Sequence, residues 1–284
     1  MQICSINIPK QPLLLLKPFL LSLFFSFAFL LTFLSSQTQP VHPKTTPYAS
    51  LQKSTNNIPL SLINSSSSSS TADLRIRRRY PTYESYIHHQ LNKTLNPKLR
   101  KIWTTRDWDR KVRVFSEFFS SLTRRRLLSN SSNSLCLGAR VGQEVAALRR
   151  VGVSESIGID LVPRPPLVAA GDFHAQPFAD ETFDFEFSNV FDHALYPWKF
   201  VAEIERTLKP GGVCALHVAI SKRADKYSAN DLFSVGPLVE LFKGSDLVEV
   251  REIDGFGLDT EVVFRKKRDS KIVVRETIYC QKRD

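Results

Sequence analysis

Residues Leu135 to Val145 read LCLGARVGQEV: a short apolar strand, two glycines spaced Gly138-x-x-x-Gly142, then a helix-like stretch. Glycines at such a turn let backbone N–H groups approach a ligand, and the helix N-terminus that follows favours negative charge. In the usual pattern the middle position is also glycine; here it is Arg140. Asp160 closes a second apolar strand, 22 residues after Gly138. A carboxylate so placed can accept both hydroxyls of a ribose. Two further stretches gather polar residues: GDFHAQPFADETFD, Gly171 to Asp184, and FSNVFDH, Phe187 to His193. For proton transfer at neutral pH the candidates are Asp192 and His193, just past a strand, and His217 inside one. Asp192 and His193 are sequence neighbours and would not face one another in any regular element. A structural role is the competing reading for each of the three, as plain core packing is for Trp103 and Trp108.

The elements that position these residues follow from periodicity. Pro81 to Leu128 is expected to be helical, with Val112, Phe115, Phe118, Phe119 and Leu122 forming an amphipathic stripe and Asp107 or Thr105 as a cap. After the SNSSNS loop, strands and helices alternate. Strands are expected at 134–137, 156–161, 167–172, 183–190 and 213–220, and helices at about 142–151, 198–208 and 235–242. Strands at 246–253, 260–267 and 271–280 end the chain, the first two joined by a short DGFGLD turn. Alternation implies crossover units and a parallel α/β sheet, and the short turn implies an antiparallel edge pair. In such a sheet ligands bind at the carboxyl ends of the strands, where the four stretches above would meet.

Two stretches, one of them new, carry more. GDFHAQPFADETFD resembles the GDaxxLPFxdxsFD segment, and EIERTLKPGG (Glu203 to Gly212) the ExxRvLKPGG turn, of class I, type 11 S-adenosylmethionine-dependent methyltransferases. The resemblance covers residues 135 to about 265. It implies a Rossmann-like fold with a mostly parallel seven-stranded sheet and S-adenosyl-L-methionine as cofactor. It also implies that the Gly138–Gly142 loop cradles that cofactor, that Asp160, with Leu161 beside it, holds the ribose, that Asp172 bonds the adenine amino group with Phe173 beside the ring, and that Asn189 lines the methionine arm. Two positions depart from the family: Cys136 stands where an acid is usual, and Arg140 where glycine is usual. Arg140 could pair with the cofactor's carboxylate and Glu144 could take its ammonium. The alternative is an Arg140 pointing to solvent and a Glu144 favoured only by the helix dipole. The expected activity is methyl transfer to an unidentified acceptor. The alternative is a pseudo-methyltransferase acting as a binding or scaffold module; an NAD-dependent oxidoreductase is opposed by LKPGG and the missing G-x-G-x-x-G.

The first 72 of the 284 residues contain no Asp, Glu or Arg. Leu13 to Leu34 is nearly all apolar; as a helix it would span about 33 Å, enough for a bilayer core. A signal anchor, a cleaved signal peptide and a transit peptide are the competing readings. The expected layout is a cytosolic tail (1–12), an anchor (13–34), a disordered Ser/Pro-rich stalk (35–72), a helical extension (73–132) and a methyltransferase domain (133–284). Lys10 and Lys17 before the span favour a single-pass type II protein of the Golgi or ER with a lumenal domain. The net charge is +11, with basic clusters at Arg75/Arg77/Arg78/Arg79, Arg124/Arg125/Arg126 and Arg265/Lys266/Lys267/Arg268, either a solvated basic face or an attraction to anions. The expected partners are a small-molecule or glycan substrate, anionic if the charge counts, and the membrane. No nucleic-acid-binding motif is present among the clusters, and the four cysteines have neither disulfide-framework nor metal spacing.

Overall fold

The computed structural model describes residues 73–220 and 225–268, all within the compact unit Ser66–Asp284. The expected anchor, the stalk and the 271–280 strand lie outside the described residues. Among the described residues no helix is long and apolar enough to cross a membrane.

A short strand β1 (Leu74–Ile76) precedes three helices, α1 (Tyr83–Thr94), α2 (Pro97–Thr104) and α3 (Trp108–Arg124). Thr82 and Ser85 form a capping box for α1, and Asn96 caps α2 with Pro97 at its first turn. Asp107 stands at the head of α3 but does not cap it. Its carboxylate accepts from Arg106 Nε at 2.9 Å, so the expected cap is absent. The α3 stripe is as its spacing requires: Val112, Phe115, Phe119 and Leu122 are buried, and Phe118 packs against them.

The alternating part comprises β2 (Ser134–Leu137), α4 (Gln143–Arg150), β3 (Ser156–Asp160), β4 (Val168–Ala170), β5 (Phe183–Ser188), α5 (Pro197–Thr207) and β6 (Leu208–Val218). Then come β7 (Asn230–Leu232), α6 (Gly236–Leu241), β8 (Ser245–Gly255) and β9 (Leu258–Lys266). Seven strands form one sheet in the order β4-β3-β2-β5-β6-β9-β8. The first five are mutually parallel, and β9 runs antiparallel to both β6 and β8. β8 is therefore the edge strand and β9 is inserted beside it. Phe256 (φ +57°) and Gly257 (φ +96°) make the two-residue turn between them, the primed geometry whose twist suits a hairpin.

Adjacent residues of a strand point to opposite faces, and the core divides accordingly. Cys136, Phe185, Phe187, Ala215 and Val263 pack with α3 and α4. Leu135, Leu137, Cys214, Leu216, Val262 and Phe264 pack with α5 and α6. The result is an α/β/α sandwich whose interior strand β2 is buried along its whole length. Sequence reading missed β1 and β7, which pair antiparallel as a second, two-stranded sheet. Three residues are too few to show a period.

Candidate functional site

The chain runs outward from β2 through β3 to β4, then returns to place β5 on the other side of β2. That reversal leaves a crevice at the carboxyl ends of the strands. A cleft of about 320 Å³ opens there. Gly138 and Arg140 reach it from β2, Asp160 and Leu161 from β3, Asp172 and Phe173 from beyond β4, and Asn189, Asp192 and His193 from beyond β5.

Gly138 has φ +66°, and a Cβ there would lie 2.4 Å from Val190 Cγ2. Arg140 also adopts a left-handed conformation, φ +50°, a strained one for a side chain with a Cβ. Its amide donates to Asp160 Oδ2 at 2.8 Å, its Nη2 pairs with Glu144 Oε1 at 3.3 Å, and its guanidinium lies over the Trp103 ring at 5.6 Å. Arg140 therefore does not point free to solvent. Glu144 is 1% exposed and also accepts from Asn189 Nδ2 at 3.0 Å. Its Oε2 has no partner among the described residues. Gly142 and Glu144, also expected at the cofactor, are not among the residues that line the cleft. Gly142 (φ +86°) starts α4 where a Cβ would meet Leu167 Cβ at 2.7 Å, so its role is to let helix and strand approach. Glu144 lies behind the wall and holds Arg140 and Asn189 in place.

Asp160 takes one backbone N–H on each oxygen, from Arg140 and from Val162 at 3.2 Å. Burial pushes its carboxyl above the ordinary value, and those two amides pull against the shift. Asp172 accepts from the His174 amide at 2.9 Å and from the Tyr83 hydroxyl. Burial opposes its ionisation, but the bonds from His174 and Tyr83 prevail and hold it below its ordinary value. Tyr83 also lies 2.8 Å from His174 Nδ1 and stacks on Tyr196. Sequence reading missed Tyr83, which sits on α1, 89 residues from Asp172; no local motif marks it.

The opposite end of the cleft contains Asp192 and His193. A tight 3₁₀ turn, Phe191–His193, follows β5 and brings His193 Nε2 to 3.9 Å from Asp192 Oδ2. Gln90 Oε1 sits 2.9 Å from His193 Nδ1, and Lys93 Nζ sits 3.1 Å from Nε2. This arrangement selects the tautomer with the proton on Nδ1 and the lone pair on Nε2. Burial holds His193 below its ordinary value, so it is neutral at neutral pH. Lys93 also pairs with Asp225 at 2.6 Å, and Ser228 donates to Asp192. Asp192, His193 and Asp225 offer ligand atoms within 4.8 Å of one another, yet the Lys93 ammonium already sits on two of them. His217 is away from the cleft, buried on β6 against Glu261 (3.1 Å), which pairs in turn with Arg125 (2.7 Å). Trp103 is buried, its carbonyl accepts from Gln143 at 2.8 Å, and its ring carries the Arg140 guanidinium.

Residues 135–216 match the family model of the methyltransferase domain. Among solved structures, the 1,6-didemethyltoxoflavin-N1-methyltransferase of Burkholderia thailandensis, with bound 1,6-didemethyltoxoflavin and S-adenosylhomocysteine, superposes with a TM-score of 0.53. It is 18% identical over 68% of this chain and 94% of its own. A SAM-dependent methyltransferase from Aquifex aeolicus gives a TM-score of 0.43 at 18% identity, over 52% of this chain and 88% of its own. No curated protein matches the sequence. The sheet order and the Burkholderia superposition give the fold: a Rossmann-like methyltransferase fold, with β9 as the inserted antiparallel strand.

Proposed function

We propose that the chain is an S-adenosylmethionine-dependent methyltransferase. One observation carries this reading. A glycine-containing loop, a first carboxylate and a second carboxylate follow three successive strands and open on one cleft. The residues fit the cofactor. Asp160 accepts two hydrogen bonds from the protein, and Asp172 accepts from the His174 amide and the Tyr83 hydroxyl with the His174 ring Nδ1 3.3 Å away. A carboxylate has about four acceptor sites, so each keeps capacity for a ribose diol or an adenine amino group. Phe173 and Leu161 supply apolar walls beside them. Asn189 is oriented by Glu144 towards the loop side.

S-adenosylmethionine, when bound, supplies an activated sulfonium methyl group. The protein's task is to hold the acceptor in line and to remove the proton that the acceptor atom loses. His193 is suited to that proton: it is neutral, Gln90 fixes its tautomer, and it lines the cleft. Lys93 holds Nε2 in the resting arrangement and has a second partner in Asp225 to retain when the acceptor displaces it. Asp192 orients the same turn through Ser228.

The test is calorimetric titration of the detergent-solubilised full chain with S-adenosylhomocysteine. Asp160→Ala is expected to lose binding, because the Arg140 amide and the ribose lose one shared acceptor. Unchanged affinity in that variant would count against the site.

The reading extends to topology. The apolar run Leu13–Leu34, preceded by Lys10 and Lys17, supports a type II anchor with the methyltransferase domain in the lumen. A small anionic acceptor or an acidic glycan suits a basic lumenal chain.

A further inference from the structure

The charged side chains of the cleft are nearly all satisfied from within. Asp160 has two amides, Asp172 has Tyr83 and His174, and Asp192 has Ser228. Lys93 has Asp225, and Arg140 has Glu144. Lys111 differs. It reaches the cleft from α3, half-buried, and has no hydrogen-bond or ion-pair acceptor among the described residues. Its Nζ lies over the ring of Phe256, 5.1 Å from the centroid. Burial, and then the Arg140 cation beside it, lower its ammonium to about 8. A desolvated cation next to a second cation is costly unless an anion completes it.

The sheet order says which anion. The stations of the cleft follow the strands: Asp172 and Phe173 beyond β4, Asp160 at β3, then the Arg140 loop at β2. A nucleoside laid from Asp172 to Asp160 directs its 5′ substituent to the Arg140 loop, where Lys111 enters. We propose that Lys111, with Arg140 beside it, anchors a carboxylate, that of the amino-acid end of the cofactor. This rests on the methyl-transfer reading. Trp103 stacks on the Arg140 guanidinium and Phe256 on the Lys111 ammonium. Glu144, already paired with Arg140, prevents that pair from being a bare double positive charge.

The experiment titrates the full chain calorimetrically with two ligands, S-adenosylhomocysteine and 5′-methylthioadenosine, which lacks the amino-acid end. Lys111→Gln is expected to weaken S-adenosylhomocysteine on the order of tenfold or more, the worth of one charge-assisted hydrogen bond. It is expected to leave methylthioadenosine unchanged, and Lys111→Arg is expected to retain most of the affinity. The charged groups facing Lys111 are Arg140 and Glu144, Asp107 at the head of its own helix, and Lys93 from α1. Wild-type affinity for S-adenosylhomocysteine, but not for methylthioadenosine, should therefore fall as the pH rises through about 8, and Lys111→Gln should flatten that fall. Equal affinity of Lys111→Gln and wild type for S-adenosylhomocysteine overturns the proposal, and so does an equal loss of both ligands, which would make Lys111 a packing residue. If the wild type binds neither ligand, the methyl-transfer reading itself fails.

Discussion

Arg140 shows how one residue can break a pattern and still belong to its site. A glycine at φ +50° would be unstrained. An arginine there bears a backbone cost of about 1–2 kcal/mol, offset by its pairing with Glu144 and its stacking on Trp103. Arg140→Gly removes the strain and also strips a 1% exposed carboxylate of its cation. Loss of the partner should prevail, since an unsatisfied buried polar group costs about 1–3 kcal/mol. Urea unfolding should show Arg140→Gly less stable than wild type, with Glu144→Gln recovering part of the loss in the double variant. A more stable single variant would mean that backbone strain dominates. The sequence offered two fates for Arg140, a cofactor ligand or a solvated charge. The structure supplies a further one, a cation held inside the wall by the residue four places on.

At the scale of elements, β5 carries a buried acid that the sequence did not single out. Glu186 is fully buried, its Oε1 lies 2.5 Å from Thr207 Oγ1 on α5, and its Oε2 has no partner among the described residues. Burial raises it to about 8, against the pull of Thr207 and Gln176. The carboxyl is therefore protonated in the fold below that pH and ionised above about 4.5 in the unfolded chain. Between those two values the native state binds the extra proton, so stability falls as pH rises. Its contribution is complete below about 4.5 and is lost by about 8. Thermal unfolding followed across that window should show a decline that Glu186→Gln reduces; an unchanged slope in the variant would assign the decline to other groups. The strand itself was legible as an apolar run. The acid was not, because alternation marks which residues go inward and not whether an inward carboxyl finds a base.

For the whole molecule the α/β/α order was readable in advance, since strands alternating with amphipathic helices leave few ways to bury both sheet faces. Its relation to a membrane belongs to the same scale. If Leu13–Leu34 anchors the chain with its domain in the lumen, a C-terminal epitope should resist protease added to intact microsomes and be cut once detergent is present. Cleavage without detergent would place the domain on the cytosolic side.

The sequence by itself determined the alternating α/β order and the helix faces, and through its family resemblance it pointed to the stations Gly138, Asp160, Asp172 and Asn189. Order and faces depend on period and local turn chemistry, which are short-range. Only the tertiary structure decided what surrounds the stations. It set Tyr83 against Asp172, Lys93 and Gln90 against His193, Glu144 beneath Arg140, and Lys111 in the cleft without an acid. It also paired β1 with β7 across more than 150 residues. Most of these contacts join α1 or α3 to loops far along the chain, and α1 and α3 present their polar faces there. A helix's apolar stripe announces itself by period, whereas the partner of a polar side chain is chosen by the packing of that stripe, which no local pattern records.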